Sequence, residues 1–161
     1  MNSATKSPTA ERSHQDWVPI MELATREVFE MMLGCQLEGP TMAENGSFDI
    51  TAMVGLAGKV CGVLTFSCGG KSAALMASKM LRVTVGEGSR EVLDALGEIC
   101  NMIAGNFKNK VAGLGEGCML SVPTVITGKN YSMHSLRDSA TLEIRLQFES
   151  LPIVVSLRTH T

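Results

Sequence analysis

The sequence carries almost no net charge: 14 Lys and Arg against 16 Asp and Glu leave −2 at pH 7. Such a balance offers no broad attraction to nucleic acid or to anionic lipid, so a partner must be chosen by local surface. Long apolar runs are also missing, and none approaches the roughly 20 residues that a membrane-crossing helix needs. The N-terminal stretch MNSATKSPTAERSHQ lacks the apolar centre of a signal peptide. These absences predict a cytoplasmic protein with neither nucleic acid nor membrane as a partner.

Metal and disulfide chemistry find little material. The cysteines, Cys35, Cys61, Cys68, Cys100 and Cys118, are odd in number and never spaced C-x-x-C, which argues against a disulfide framework or a zinc ribbon. Most are expected to be small core residues. His14, His134 and His160 fall in a polar tail, a predicted loop and the C-terminus, so paired imidazoles are not expected and no metal site is assigned to this chain alone.

What is present suits one folded unit. Of 161 residues, 45% are hydrophobic and 19% charged, a globular balance in a chain long enough to bury a core. Residues 1–14 are polar and lack an apolar period, which predicts a disordered tail, with the domain over 15–161. From Asp16 to about Leu33 the pattern is helical: Pro19 suits the first turn, Ile20, Leu23, Ala24, Val28, Met31 and Met32 supply apolar positions, and Gly34 is a natural stop. Residues 47–67 are β-branched and apolar and are broken by Gly55 and Gly58, which predicts a hairpin. A short helix over 71–81, a longer one over 89–111, a strand around Pro123 and a second hairpin complete the order. In that hairpin Leu142, Ile144, Leu146 and Phe148 alternate with polar residues before LPIVVSL. The expected class is α+β (mixed α/β): a largely antiparallel sheet covered by two long helices, built from two pseudo-duplicated helix-plus-hairpin units.

The helix over 89–111 carries the candidate chemistry. Rotating about 100° per residue places Val92, Leu93, Leu96, Ile99, Cys100, Ile103, Phe107 and Val111 opposite Glu98, the predicted core face. Asp94, Asn101, Gly105 and Lys108 fall within about 80° of Glu98 by the same rotation. A polar stripe is ordinarily just a solvated face. Here Asp94 and Glu98, four apart, repel by roughly 0.2–0.5 kcal/mol in an isolated helix, which a partner's cation would reverse. Gly97 and Gly105 each cost about 1 kcal/mol relative to Ala in a helix interior, and would let another backbone approach around Asn101. Asn101 both donates and accepts hydrogen bonds. The combination predicts a docking face.

Asp94-x-x-x-Glu98-x-x-Asn101, with Pro123 following after 21 intervening residues, resembles the signature of the CheX/CheC/FliY chemotaxis phosphatases, where about 22 intervene. The likeness extends over DALGEICNMIAGNFK and, in its two-unit layout, over the chain from about residue 16. The resemblance implies a phosphatase acting on the aspartyl phosphate of a phosphorylated CheY-like receiver domain. It implies that Glu98 pairs with the receiver's lysine and that Asn101 orients the attacking water. Magnesium would be supplied by the receiver, with no cofactor bound by this chain. Asp94, Gly97, Gly105 and Lys108 are expected to face the partner. Pro123, with no titratable group and no amide proton, is expected to shape the site.

Aligning Glu22 with Asp94 puts Arg26 in the place of Glu98 and Phe29 in that of Asn101, so the first helix lacks the pair. A single motif on the second long helix resembles the homodimeric CheX type rather than the two-site CheC type. Other readings are weaker. Gly69-Gly70-Lys71-Ser72 mimics a phosphate loop, but Thr65 stands where a Walker A motif requires its first glycine. No Ser or Cys lies in a nucleophile elbow, and Cys100 is on the core side. The competing functional reading is a non-catalytic module that binds a receiver or serves a flagellar switch without turning over phosphate.

Overall fold

A computed structural model describes residues 16–42, 48–134 and 139–160. The tail over 1–14, and His14 with it, lies outside these residues. The elements run α1 (Trp17–Leu33), β1 (Ile50–Gly58), β2 (Cys61–Cys68), α2 (Gly70–Leu81), α3 (Arg90–Lys110), β3 (Cys118–Leu120), β4 (Thr124–Thr127), β5 (Ser139–Phe148) and β6 (Leu151–His160).

Helix α1 ends as the sequence suggests. Gly34 takes the left-handed conformation at φ 61°, and its N–H caps the carbonyls of the last turn. The buried face is turned from the expected one: Met21, Ala24, Val28, Phe29 and Leu33 face the core, while Leu23 and Met31 are exposed. Phe29 fixes this rotation, its ring lying 6.0 Å from that of Phe66 and 5.8 Å from that of Phe148. A large ring buried between strands of both hairpins outweighs the smaller gain from covering Leu23 or Met31.

The hairpins are β1–β2 and β5–β6. Gly55 lies inside β1 rather than at its end, and the turn falls at Lys59–Val60. Gly58 turns the chain at φ 128°, so close to the Gly117 carbonyl that a Cβ would sit 2.2 Å from its oxygen. Glu149 and Ser150 join β5 to β6 with φ of 47° and 64°, the positive values that match the twist of a two-residue hairpin. All pairings are antiparallel, in the order β3-β1-β2-β6-β5, with β4 also paired to β1. The hairpins join through β2 and β6, giving one six-stranded sheet.

The helices share one face of that sheet, where Ile50, Ala52, Val54 and Leu56 of β1 meet Leu64 and Phe66 of β2. Helix α3 packs against α1, α2 and both strands of the first hairpin. A polar clasp closes its far end onto α1: Asn106 Nδ2 donates to Glu27 Oε2 at 2.8 Å and Lys110 Nζ donates to Glu27 Oε1 at 2.9 Å. The architecture is of the expected α+β class, an antiparallel sheet covered by helices, with the short α2 beside the two long ones.

Replacing Gly62 by Ala tests the tightness of the hairpin junction. Its Cβ would lie 2.3 Å from the Arg158 carbonyl oxygen, which belongs to the backbone and cannot swing aside. Gly62→Ala should lower stability by about 1–3 kcal/mol, measured by urea unfolding.

The hydrogen bonds from Lys110 and then Asn106 hold the Glu27 carboxyl below its ordinary pKa. A depressed folded-state value means the clasp stabilises fully above the ordinary carboxylate range and fades as pH falls through the lowered value. Glu27→Gln should therefore unfold more readily near neutrality, and the difference from wild type should shrink on acidification.

Candidate functional site

Helix α3 is divided lengthwise by burial. Val92, Leu96, Ile99, Cys100, Ile103 and Phe107 are fully buried, while Asp94 and Glu98 are exposed and Asn101 is half-buried. Leu93, expected in the core, is only half-buried because it sits at the margin of the buried arc. The helix start is favoured by Glu91 in the first turn, and Lys108 and Lys110 suit the last.

Glu98 and Asn101 stand three residues apart on one side of the helix, about 4.5 Å along its axis. Among the described residues, neither has a hydrogen-bonding or ionic partner. Asp94 is approached by Arg90 Nε at 3.9 Å, with the two side chains 74% and 90% exposed, a loose surface pair. The pair leaves Asp94 accessible to another cation.

The neighbouring residues are engaged within the chain. Gly97 is buried, and the approach it permits is made by Pro123 and Val125: a Cβ there would lie 3.5 Å from Pro123 Cβ and 3.7 Å from Val125 Cγ2. The surface expected to be kept low for a partner is thus covered by the chain's own edge strand. Gly105 is half-buried, with Leu120 Cδ1 4.0 Å from its Cβ position. Lys108 Nζ donates to the Cys118 carbonyl at 2.8 Å, fastening β3 to the helix. Pro123 packs on the helical turn that carries Glu98 and Asn101, a place suited to shaping it.

Pro123 sits in a one-residue bulge that the sequence reading missed, together with β3. Leu56 pairs with Leu120 and Met53 with Thr124, so Val54 and Gly55 face three residues, Ser121, Val122 and Pro123. Such bulges bend an edge strand and accommodate a proline, which cannot donate to the ladder. Ser121 holds the bend from both sides: its N–H donates to the Gly55 carbonyl at 2.9 Å, and its Oγ accepts from Gly55 N–H at 2.8 Å. The available signal was Pro123 inside an otherwise strand-like run.

Other candidates recede. At the start of α2, Gly70 N–H donates to Asp49 Oδ1 at 2.9 Å, and Glu87 Oε2 would lie 3.2 Å from a Cβ on Gly70. Two carboxylates at that helix start disfavour a phosphate. Burial pushes the thiols of Cys68 and Cys100 up to about 12, which leaves them unreactive. Arg26, standing in α1 where Glu98 stands in α3, pairs with Glu22 at 2.9 Å and donates to the carbonyls of Leu37 and Gly39. Among the described residues, no group of three or more His, Cys, Asp or Glu is arranged to hold a metal ion, and no helix is long and apolar enough to cross a membrane.

Helices on one face of an antiparallel sheet, with a carboxylate and a carboxamide free on the exposed side of one helix, define an α+β domain with an unpartnered polar helix face. The family model described as chemotaxis phosphatase CheX matches residues 50–147, more than half of the chain, and the chain belongs to that family. The fold recurs in CheX from Vibrio vulnificus, at TM-score 0.77 and 19% identity over 89% of this chain and 96% of that one. It recurs in a CheX-CheY-BeF3-Mg2+ complex from Borrelia burgdorferi, at TM-score 0.74 and 23% identity over 90% and 98%. FliY from Thermotoga maritima shares it at TM-score 0.68 and 17% identity, over 98% and 92%. No protein among the curated ones matches the sequence.

Proposed function

We propose that this chain hydrolyses the aspartyl phosphate of a CheY-like response regulator, with Glu98 docking the receiver and Asn101 orienting the attacking water. The observation that carries this reading is a carboxylate and a carboxamide one turn apart on an exposed helix face, without partners among the described residues. The phosphatase family and the CheX-CheY complex from Borrelia burgdorferi support it.

The chemistry asks little of this chain. An aspartyl phosphate is an activated acyl phosphate, so no covalent nucleophile is required and most of the task is holding one water in line. The Asn101 amide oxygen accepts a hydrogen bond from that water while its lone pair points at phosphorus. Attack forms the new phosphorus–oxygen bond and breaks the bond to the aspartyl oxygen, releasing phosphate and the receiver's carboxylate. Glu98 is acceptor-only when ionised and pairs with the receiver's lysine, which fixes the helix across the phosphorylated site. Asp94, one turn before it, adds negative charge to the same face. The divalent magnesium that neutralises the phosphoryl oxygens belongs to the receiver.

On this reading residues 15–161 act as one cytoplasmic domain. Asn101→Ala should reduce turnover about 100-fold or more and leave thermal stability near wild type, because the side chain makes no contact on which the fold depends. Glu98→Ala should also weaken binding, by about 10-fold or more, since it strands the receiver's lysine. The assay is loss of acyl phosphate from a magnesium-bound receiver of the same genome. Wild-type rates in both variants would refute the site, and phosphorylation-dependent binding without any acceleration would make the chain a docking module.

The chain is also proposed to work as a homodimer joined at sheet edges. Supporting this, Glu38 and Thr41 bond to Gln147 and Arg145 of β5, while the outer edge of β5 from Ser139 to Glu143 has no strand partner among the described residues. Sedimentation at micromolar concentration should give twice the monomer mass; a monomer would remove this part of the reading.

A further inference from the structure

The bulge in the edge strand places an apolar side chain where the proposed docking face ends. Val122 is 85% exposed, yet its neighbours on both sides are tied down: Ser121 to Gly55 through two hydrogen bonds, and Pro123 against Gly97 on the turn carrying Glu98 and Asn101. A single exposed valine ordinarily means nothing. This one lies at the middle of the three bulge residues, so its exposure goes with a backbone device that the register of β1 makes explicit.

Strand parity separates it from the other exposed apolar residue nearby. Leu120 pairs with the buried Leu56 and turns towards α3, so Met119, paired with Ala57, faces the opposite side of the sheet although it is 76% exposed. Pro123 and Val125 again turn towards α3 at Gly97. Val122 lies between these two settings, immediately before the proline that packs on the helix. The next residue, Pro123, packs on Gly97 beside Glu98, and the polar groups on that exposed side of α3 are the carboxylates of Asp94 and Glu98 and the amide of Asn101, while Lys108 is held by the Cys118 carbonyl. An acidic face with an apolar point at its rim suits a partner that presents a cation beside apolar surface. A receiver docked by its active-site lysine supplies that cation.

We infer that Val122 is a docking residue for the phosphorylated receiver, packed against the partner's surface next to the Glu98–lysine pair. The inference rests on the proposed function and goes beyond it by adding the edge strand to the interface. The bulge, braced by Ser121 and Pro123, holds the backbone at Val122 from both sides, so little backbone freedom is lost on binding. Val122 is a positioning residue and touches neither the phosphate nor the water.

The test compares Val122→Asn with Met119→Asn, two neutral changes of similar kind at exposed apolar positions of the same edge, one inside the bulge and one before it. Binding to a magnesium- and beryllofluoride-loaded receiver is measured by calorimetry, and turnover of the phosphorylated receiver is resolved into kcat and KM. Val122→Asn should weaken binding and raise KM about 10-fold with kcat within about twofold of wild type, whereas Met119→Asn should match wild type. Val122→Ile should retain wild-type affinity, and melting temperatures establish that each variant is folded. Unchanged affinity in Val122→Asn, or equal losses in both asparagine variants, would overturn the inference. If Asn101→Ala abolishes turnover while Val122→Asn keeps its KM, the proposed function stands and the docking role falls. A wild-type protein that neither binds nor dephosphorylates any receiver of its genome would overturn both.

Discussion

The burial of one side of α3 against the sheet is the constraint on which the other features rest. Leu96, Ile99, Cys100, Ile103 and Phe107 are removed from water, and each large apolar side chain so buried contributes about 1.5–3 kcal/mol before conformational entropy is subtracted. Because side chains repeat about every 100° around a helix, fixing this face to the core leaves Asp94, Glu98 and Asn101 at its exposed side. The polar residues need no binding energy of their own to reach that position. Their placement is a by-product of packing, and it is rigid because the packing is.

The environment of α3 then determines which polar residues remain available. Lys108 and Lys110, which complement the end of the helix dipole, are drawn to the Cys118 carbonyl and to Glu27. Gly97 and Gly105 lie under the edge strand, filled by Pro123, Val125 and Leu120. What is left is a short acidic and amide surface bordered by the bulge. In α1 the corresponding turn holds Arg26, whose guanidinium ties the helix to the segment that lies along β5. Two helices in similar settings thus carry different work: α1 braces the far edge of the sheet, and α3 presents unpaired groups to solvent.

Much of this was legible in the amino-acid order, since the signals concerned were periodic. The alternation of Leu142, Ile144, Leu146 and Phe148 gave the second hairpin its buried face, and the apolar arc of α3 was correct except at Leu93, where a margin position is half-covered. The rotation of α1 was not legible. Apolar spacing allowed Leu23 and Met31 inside, whereas the pocket made by Phe66 and Phe148 selected Phe29. Strand β3 is only three residues long, too short for any alternation to register.

The sequence by itself determined the element types, the antiparallel class and the side of α3 on which Glu98 and Asn101 stand, because helix and strand periods are local properties of the chain. Tertiary structure alone decided that Gly97 faces Pro123, that Lys108 is held at Cys118, and that an extra residue beside Gly55 pushes Val122 outward. Those outcomes depend on which strands pair and in what register, and register is set by contacts between residues far apart in sequence.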